Sequence, residues 1–245
     1  MKQRIKAMSL LLAMLILGCA FAGCGGKAID ANTGTKEYDV EIAGAEATQP
    51  VSVPTEVPTP DPNEIRYFEG GELEAIIARN EYSSDERRIF VESALSLVGK
   101  VTYFWGGKSY SMGPDPAWGE MRKVTSPGDP TTGQTIPYGL DCSGFILWCG
   151  IQLGHGNNWA SKNIGEGTWH QWQRSEAVDM SELRPGDIAF KYAYPGADTN
   201  HIGIVVGFLE NGEPVMAHCS STAGKVVVST AADTFSIYRR LNFMD

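Results

Sequence analysis

Residues 139–154 read Gly139-Leu140-Asp141-Cys142-Ser143-Gly144-Phe145-Ile146-Leu147-Trp148-Cys149-Gly150-Ile151-Gln152-Leu153-Gly154. A turn-like Gly139-Leu140-Asp141 gives way to an apolar run, Phe145 to Leu153, that ends at Gly154. This pattern predicts a helix starting at about Cys142, with the cysteine at its N-terminus. Downstream, apolar residues alternate as in half-buried strands over Ile188–Tyr192, His201–Leu209, Val215–Ser221, Val226–Thr230 and Ile237–Leu241. Leu183-Arg184-Pro185-Gly186-Asp187 marks a turn into the first of these, and Asn211-Gly212 a tight hairpin between the second and third. Upstream, Glu72–Arg79 reads as one short helix. Ser83-Ser84-Asp85-Glu86 matches a capping box that opens a second, with Ile89, Phe90, Ala94, Leu97 and Val98 on its apolar face and Gly99 as its stop. Helices first and antiparallel strands second make an α+β fold. Between Val101–Gly107 and the Cys142 helix lies a Gly/Pro-rich stretch, 108–139, long for a structureless connection and hence a functional or mobile loop.

The chemistry begins at Cys142. A thiol attacks as its thiolate, and both a helix N-terminus and a nearby imidazole lower its pKa. Free N–H groups of a first helical turn also suit an oxyanion. A lone cysteine is more often a buried structural residue. Cys149, inside the helix's apolar segment, reads that way, and Cys219 follows His218 on a strand, so these two neighbours point to opposite faces. A base must come from four histidines, His155, His170, His201 and His218. His201 opens a strongly alternating strand and His218 lies on the next. With Asn211-Gly212 as a two-residue turn, His218 falls opposite Val205, on the same face as His201 but on the order of 13 Å away. A bulge, a longer loop or strong twist is needed to bring the rings together.

Five ordered segments carry a resemblance. Tyr103-Phe104-Trp105-Gly106-Gly107, Asp141-Cys142-Ser143-Gly144-Phe145, Leu183–Asp187, His201-Ile202-Gly203-Ile204-Val205 and Val215-Met216-Ala217-His218-Cys219-Ser220-Ser221 are similar to motifs of the NlpC family of cell-wall cysteine peptidases, across about residues 85–245. The resemblance implies a papain-like α+β fold, N-terminal helices packed on an antiparallel sheet of five to six strands. It implies a Cys-His-His triad with Cys142 as nucleophile, His201 as base and His218 as orienter. It also implies that Tyr103, Asp141 and Ser143, with Trp105 beside them, line the substrate site, the first three suiting the free amino end of a stem peptide that begins with L-Ala. The implied reaction is hydrolysis of the γ-D-glutamyl–diamino acid bond of peptidoglycan stems through a thioester, by a monomer, with no cofactor. The Cys and His spacing matches no zinc pattern. A related CHAP-type N-acetylmuramoyl-L-alanine amidase and a catalytically silent wall-binding lipoprotein are the alternatives. The 108–139 stretch, with Trp118 and five prolines, is longer than the family's usual connection; it either walls the cleft or is an inert surface insertion.

Residues 1–23 read as an export signal. Lys2, Arg4 and Lys6 precede the run Met8–Leu17, too short to span a bilayer as a helix. Small residues then lead to Cys24, with Cys19 as the alternative, in contexts similar to the lipobox of bacterial lipoproteins. Residues 24–63 are poor in large apolar side chains, and five of the chain's 13 prolines lie between Pro50 and Pro62. Such a segment is expected to be a disordered tether. The expectation is therefore a domain over 64–245, lipid-anchored on the outer side of a bacterial membrane, or secreted. The whole chain has 245 residues, 42% of them hydrophobic, enough for one domain with its own core. Its 20 Lys+Arg against 29 Asp+Glu argue against nucleic acid as partner, because phosphate binding needs a basic face. Five cysteines are too few for a disulfide scaffold.

Overall fold

The computed structural model describes residues 64–196 and 200–244. The expected signal and tether, with Cys19 and Cys24, lie outside them. In chain order the elements are α1 (Gly70–Ile77), α2 (Asp85–Ser96), β1 (Met121–Lys123), β2 (Thr135–Pro137), α3 (Cys142–Ile151), α4 (Asn157–Asn163), α5 (Thr168–Gln173), β3 (Ser175–Ala177), β4 (Ile188–Phe190), β5 (Ile202–Phe208), β6 (Pro214–Ser220), β7 (Lys225–Thr230) and β8 (Ile237–Leu241). Six strands form one sheet in the order β3-β8-β4-β5-β6-β7, antiparallel throughout. This is the papain-like α+β arrangement that the resemblance implies.

Helix α3 is buried on every side, held between α2, α4 and the sheet strands β5 and β6. Phe145, Ile146 and Leu147 are fully buried, each contributing roughly 1.5–3 kcal/mol relative to an exposed side chain. One face of the sheet supplies Ile202, Ile204, Val206, Val215, Ala217, Cys219, Val226 and Val228 to this core. The other face carries Val205 and Met216, covered by Leu183, Ala231 and Phe235. Both faces being covered explains why β5 is a nearly continuous apolar run.

Helix α2 starts one residue later than the capping-box match suggests: Ser84 is the cap, and its Oγ accepts from the Arg87 N–H at 3.3 Å. The Leu183–Asp187 turn ties α2 to the sheet. Asp187 is fully buried; it meets the buried Arg87 at 3.0 Å and receives two bonds from Arg240 of β8 at 2.9 and 2.8 Å. Arg87 also donates to the Pro185 carbonyl at 2.9 Å.

Five of these elements went unforeseen. Helices α4 and α5 and strand β3 are too short for a clear period. The 108–139 stretch is not structureless, because β1 and β2 pair within it. Their three-residue lengths and largely exposed side chains leave no alternation to read. Buried Val124 and the Trp118 ring at 5.5 Å from Trp148 hold the segment down, and Arg122 over the Tyr138 ring at 4.3 Å ties its two arms together.

The β5–β6 hairpin departs from the two-residue turn in a way that matters for the site. Leu209 donates to the Glu213 carbonyl and Gly212 to the Leu209 carbonyl, so the loop has three residues, Glu210-Asn211-Gly212. Gly212 takes φ +82°, the left-handed position such a loop requires. A bulge then inserts Val206 between the pairs Val205↔Met216 and Gly207↔Val215. Each feature offsets the register by one residue. Beyond the bulge they together move it by two, which restores there the facing that a two-residue turn gives. Beyond Ile204↔Ala217 the next residue opposite His218 is Gly203, not Val205, and the distance from His201 along the strand is halved.

Candidate active site

Cys142 is the first residue of α3, and Asp141 caps the helix with Oδ1 accepting from the Gly144 N–H at 2.6 Å. Backbone closeness explains the glycines around it. A Cβ on Gly144 would lie 2.1 Å from the Gly107 carbonyl, and one on Gly107 would lie 2.3 Å from the Gly139 carbonyl. The Trp105-Gly106-Gly107 segment therefore lies directly on the start of α3. Cys142 is 5% exposed, and its thiol sits 3.8 Å from the Asn200 carbonyl, while the N–H groups of Ser143 and Ile202 approach the sulfur.

The two strand histidines meet. His201 Nε2 lies 2.8 Å from His218 Nδ1, and His218 Nε2 lies 3.1 Å from Ser229 Oγ. Ser229 donates its only proton to the Thr230 carbonyl at 2.9 Å. It therefore accepts from His218 Nε2–H. His218 Nδ1 is then the acceptor for His201 Nε2–H, and His201 keeps a lone pair on Nδ1. The relay fixes the tautomer of a neutral base. Phe235 stacks on His201 at 5.2 Å and meets the His218 ring edge-on at 5.2 Å. Tyr103, Trp105, Cys142, Lys191, His201 and His218 line one cleft of about 480 Å³.

The electrostatics correct one expectation. Burial, together with the Asp141 carboxylate, pushes the Cys142 thiol up to about 12, outweighing the Lys108 ammonium and the two N–H groups that favour the thiolate. Burial, with a smaller contribution from Lys191, pulls His201 down to about 4. Burial and then His201 pull His218 down to about 3. The resting site is a neutral thiol beside neutral imidazoles, not a thiolate–imidazolium pair, because desolvation penalises both charges.

The expected substrate residues are placed as follows. Tyr103 is half-buried, with burial raising its phenol, and bridges to Leu140. Trp105 donates from Nε1 to the Pro127 carbonyl at 2.8 Å. Asp141 and Ser143 are already engaged. Lys108 Nζ donates to Asp141 Oδ2 at 2.6 Å and to Ser143 Oγ at 3.0 Å, and Ser143 Oγ donates to Asp141 Oδ1 at 2.8 Å. The 108–139 segment walls the cleft: Gly128 and Asp129 line the cleft above, and Ser126, Pro127 and Gly128 line an adjoining hollow that reaches Asp141, Cys142 and Ser143. Trp118 packs inward, Trp159 against Phe243 and Trp172 against Phe190, whereas Trp169 is 45% exposed beside Tyr194. His155 lies tilted against Trp159, and neither it nor the exposed His170 lines the cleft. Cys149 is core, and Cys219 lies on the opposite face from His218, its thiol on the Leu140 carbonyl. Lys108, Asn200, Ser229 and Phe235 were missed. Nothing local marks them, since each acts through a partner distant in sequence. Among the described residues no group of three His, Cys, Asp or Glu is placed to hold a metal.

Residues 131–220 match the CHAP domain, a span that includes Cys142, His201 and His218. Probable endopeptidases of Mycobacterium bovis and Mycobacterium tuberculosis are each 32% identical over 139 residues, covering 57% of this chain and 24% of theirs. The chain thus spans about a quarter of the length of these relatives. The solved peptidoglycan hydrolase RipB of Mycobacterium tuberculosis is 23% identical, with a TM-score of 0.46 over 69% of this chain and 71% of that one.

Proposed function

Proceeding from the CHAP-domain match and the relay beside Cys142, we propose that the chain is a cysteine peptidase acting on peptidoglycan. Its reaction is hydrolysis of stem peptides at the γ-D-glutamyl–diamino acid bond. The observation that carries this reading is one cleft holding a helix-N-terminal thiol and a histidine whose tautomer leaves Nδ1 free as base. The Cys142 proton passes to His201 Nδ1 as sulfur attacks the γ-carbonyl of D-Glu. First-turn N–H groups of α3 and the positive end of its dipole face the developing oxyanion. The C–N bond breaks as His201 returns the proton to the leaving amine. Water, deprotonated by His201, then opens the thioester to the free carboxylate and thiol. His218 orients the imidazole throughout.

A second reading, cleavage between muramic acid and L-Ala, is favoured by the CHAP match itself. The test is incubation of purified wall and defined stem peptides with the protein, with product ends assigned by mass spectrometry. New D-Glu carboxyl ends and diamino acid amines are expected. New L-Ala amino ends with intact stems would establish the amidase instead. Cys142→Ala and His201→Ala should each lower turnover by about 10⁴-fold or more, while Cys149→Ala leaves it intact. Full activity in Cys142→Ala would remove the mechanism, and binding without cleavage in the unmodified chain would leave only a wall-binding module.

The reading extends to location. Cys24, with Cys19 as the alternative, is taken as the lipidated residue that anchors the domain outside the membrane. Cys24→Ala should release the protein from the membrane fraction of producing cells. Retention in both the Cys24→Ala and Cys19→Ala forms would refute the anchor.

A further inference from the structure

Among the described residues, Lys108 is the one cation lining the hollow next to Cys142. Its backbone is held in place: Tyr138 donates its hydroxyl to the Lys108 carbonyl, and Asp141 N–H donates to the Gly107 carbonyl at 3.1 Å. Its stem runs past Gly144, where a Cβ would stand 3.2 Å from the Lys108 Cδ. The ammonium is therefore delivered by a fixed backbone onto Asp141 and Ser143, with side-chain exposures of 21% for Lys108 and 9% for Asp141. Asp141 Oδ1 is occupied by Gly144 N–H and Ser143 Oγ, and Oδ2 by Lys108.

Lys108 already matches the single negative charge of Asp141, and three of the carboxylate's about four acceptor sites are taken. A substrate with a free α-ammonium would have to expel Lys108 from a charge-assisted bond or lie beside a like charge. An acylated amino end brings no positive charge and offers a carbonyl oxygen. Lys108 uses two of its three donors within the protein, and the third suits that oxygen. We propose that Lys108 is a specificity-determining residue: it makes the cleft select stem peptides whose L-Ala nitrogen is acylated, as it is while the stem remains on the glycan, over released stems with a free amine. This rests on the reading of the site as one for stem peptides.

The experiment uses the full chain and two peptides, L-Ala-γ-D-Glu-diamino acid-D-Ala with a free or an N-acetylated amino end. Binding to the Cys142→Ala protein is measured by calorimetry, and kcat/KM for the active chain is followed by mass spectrometry. The acetylated peptide should be preferred at least tenfold in both. Adding Lys108→Ala opens Asp141 and Ser143, and the ratio should swing at least tenfold toward the free amine. Lys108→Arg, which keeps the cation, should retain the original preference, and so guards against an effect of misfolding. Equal binding of the two peptides, preference for the free amine, or a ratio unmoved by Lys108→Ala would overturn the proposal, even with γ-D-glutamyl cleavage established. A ratio that swings while cleavage falls at another bond would sustain it and refute the bond assignment alone.

Discussion

A hydroxyl carries one proton, and Ser229 commits its own to the Thr230 carbonyl. The protonation pattern of both histidines follows from that bond, ending in a lone pair on His201 Nδ1. Ser229 is thus a positioning residue that acts through His218 without touching the reacting atoms. The split between kcat and KM in a Ser229 variant separates this from mere packing, and the pH profile reports the base itself. His201 must be neutral to accept the thiol proton, and its pKa is lowered to about 4. Activity as kcat/KM should therefore be lost only as pH falls through about 4, and not near 6.5. With the thiol raised to about 12, no alkaline limb from Cys142 should appear below about pH 10. Ser229→Ala removes the acceptor that fixes the tautomer. It should lower kcat by about 10–100-fold, the loss typical of a metal-bound imidazole deprived of its outer partner, with KM little changed. An acid limb near pH 6.5 in the unmodified chain, or an unchanged kcat in Ser229→Ala, would contradict this account.

At the scale of elements, the hairpin loop and the Val206 bulge decide whether β5 and β6 present one site or two separated histidines. A single one-residue offset would turn one strand's side chains to the other face. Two offsets keep the facing and shorten the gap. The helical side is set by the Leu183–Asp187 turn, where one fully buried carboxylate joins α2 to β8 through Arg87 and Arg240. Asp187→Ala removes the negative charge from beside a buried guanidinium. Such changes cost about 3–5 kcal/mol, so a marked fall in the denaturation midpoint is expected. A loss under about 1 kcal/mol in urea unfolding would show that the network contributes little net stability.

For the described residues as a whole, the architecture puts the proposed nucleophile and base on different elements. Helix α3 supplies the thiol from one side, the sheet supplies the imidazoles, and the 126–129 stretch of the insertion closes a wall. The sequence by itself determined the α+β order of elements, the helix start at Cys142 and the five strands whose alternation is long enough to read. These are local properties: caps, turns and periodicity reside in a few neighbouring residues. The meeting of His201 with His218 was legible only as a shared face, because register depends on where the chain bulges, and the glycines of β5 permit a bulge without fixing its place. The tertiary structure alone decided three further matters. Ser229 sets the tautomer through a strand pairing, Lys108 reaches Asp141 because bare glycine backbones let two segments touch, and Cys142 is held as a thiol because burial outweighs the helix N-terminus. Each is a balance between groups far apart in the chain, and desolvation in particular has no value until the surrounding protein is in place.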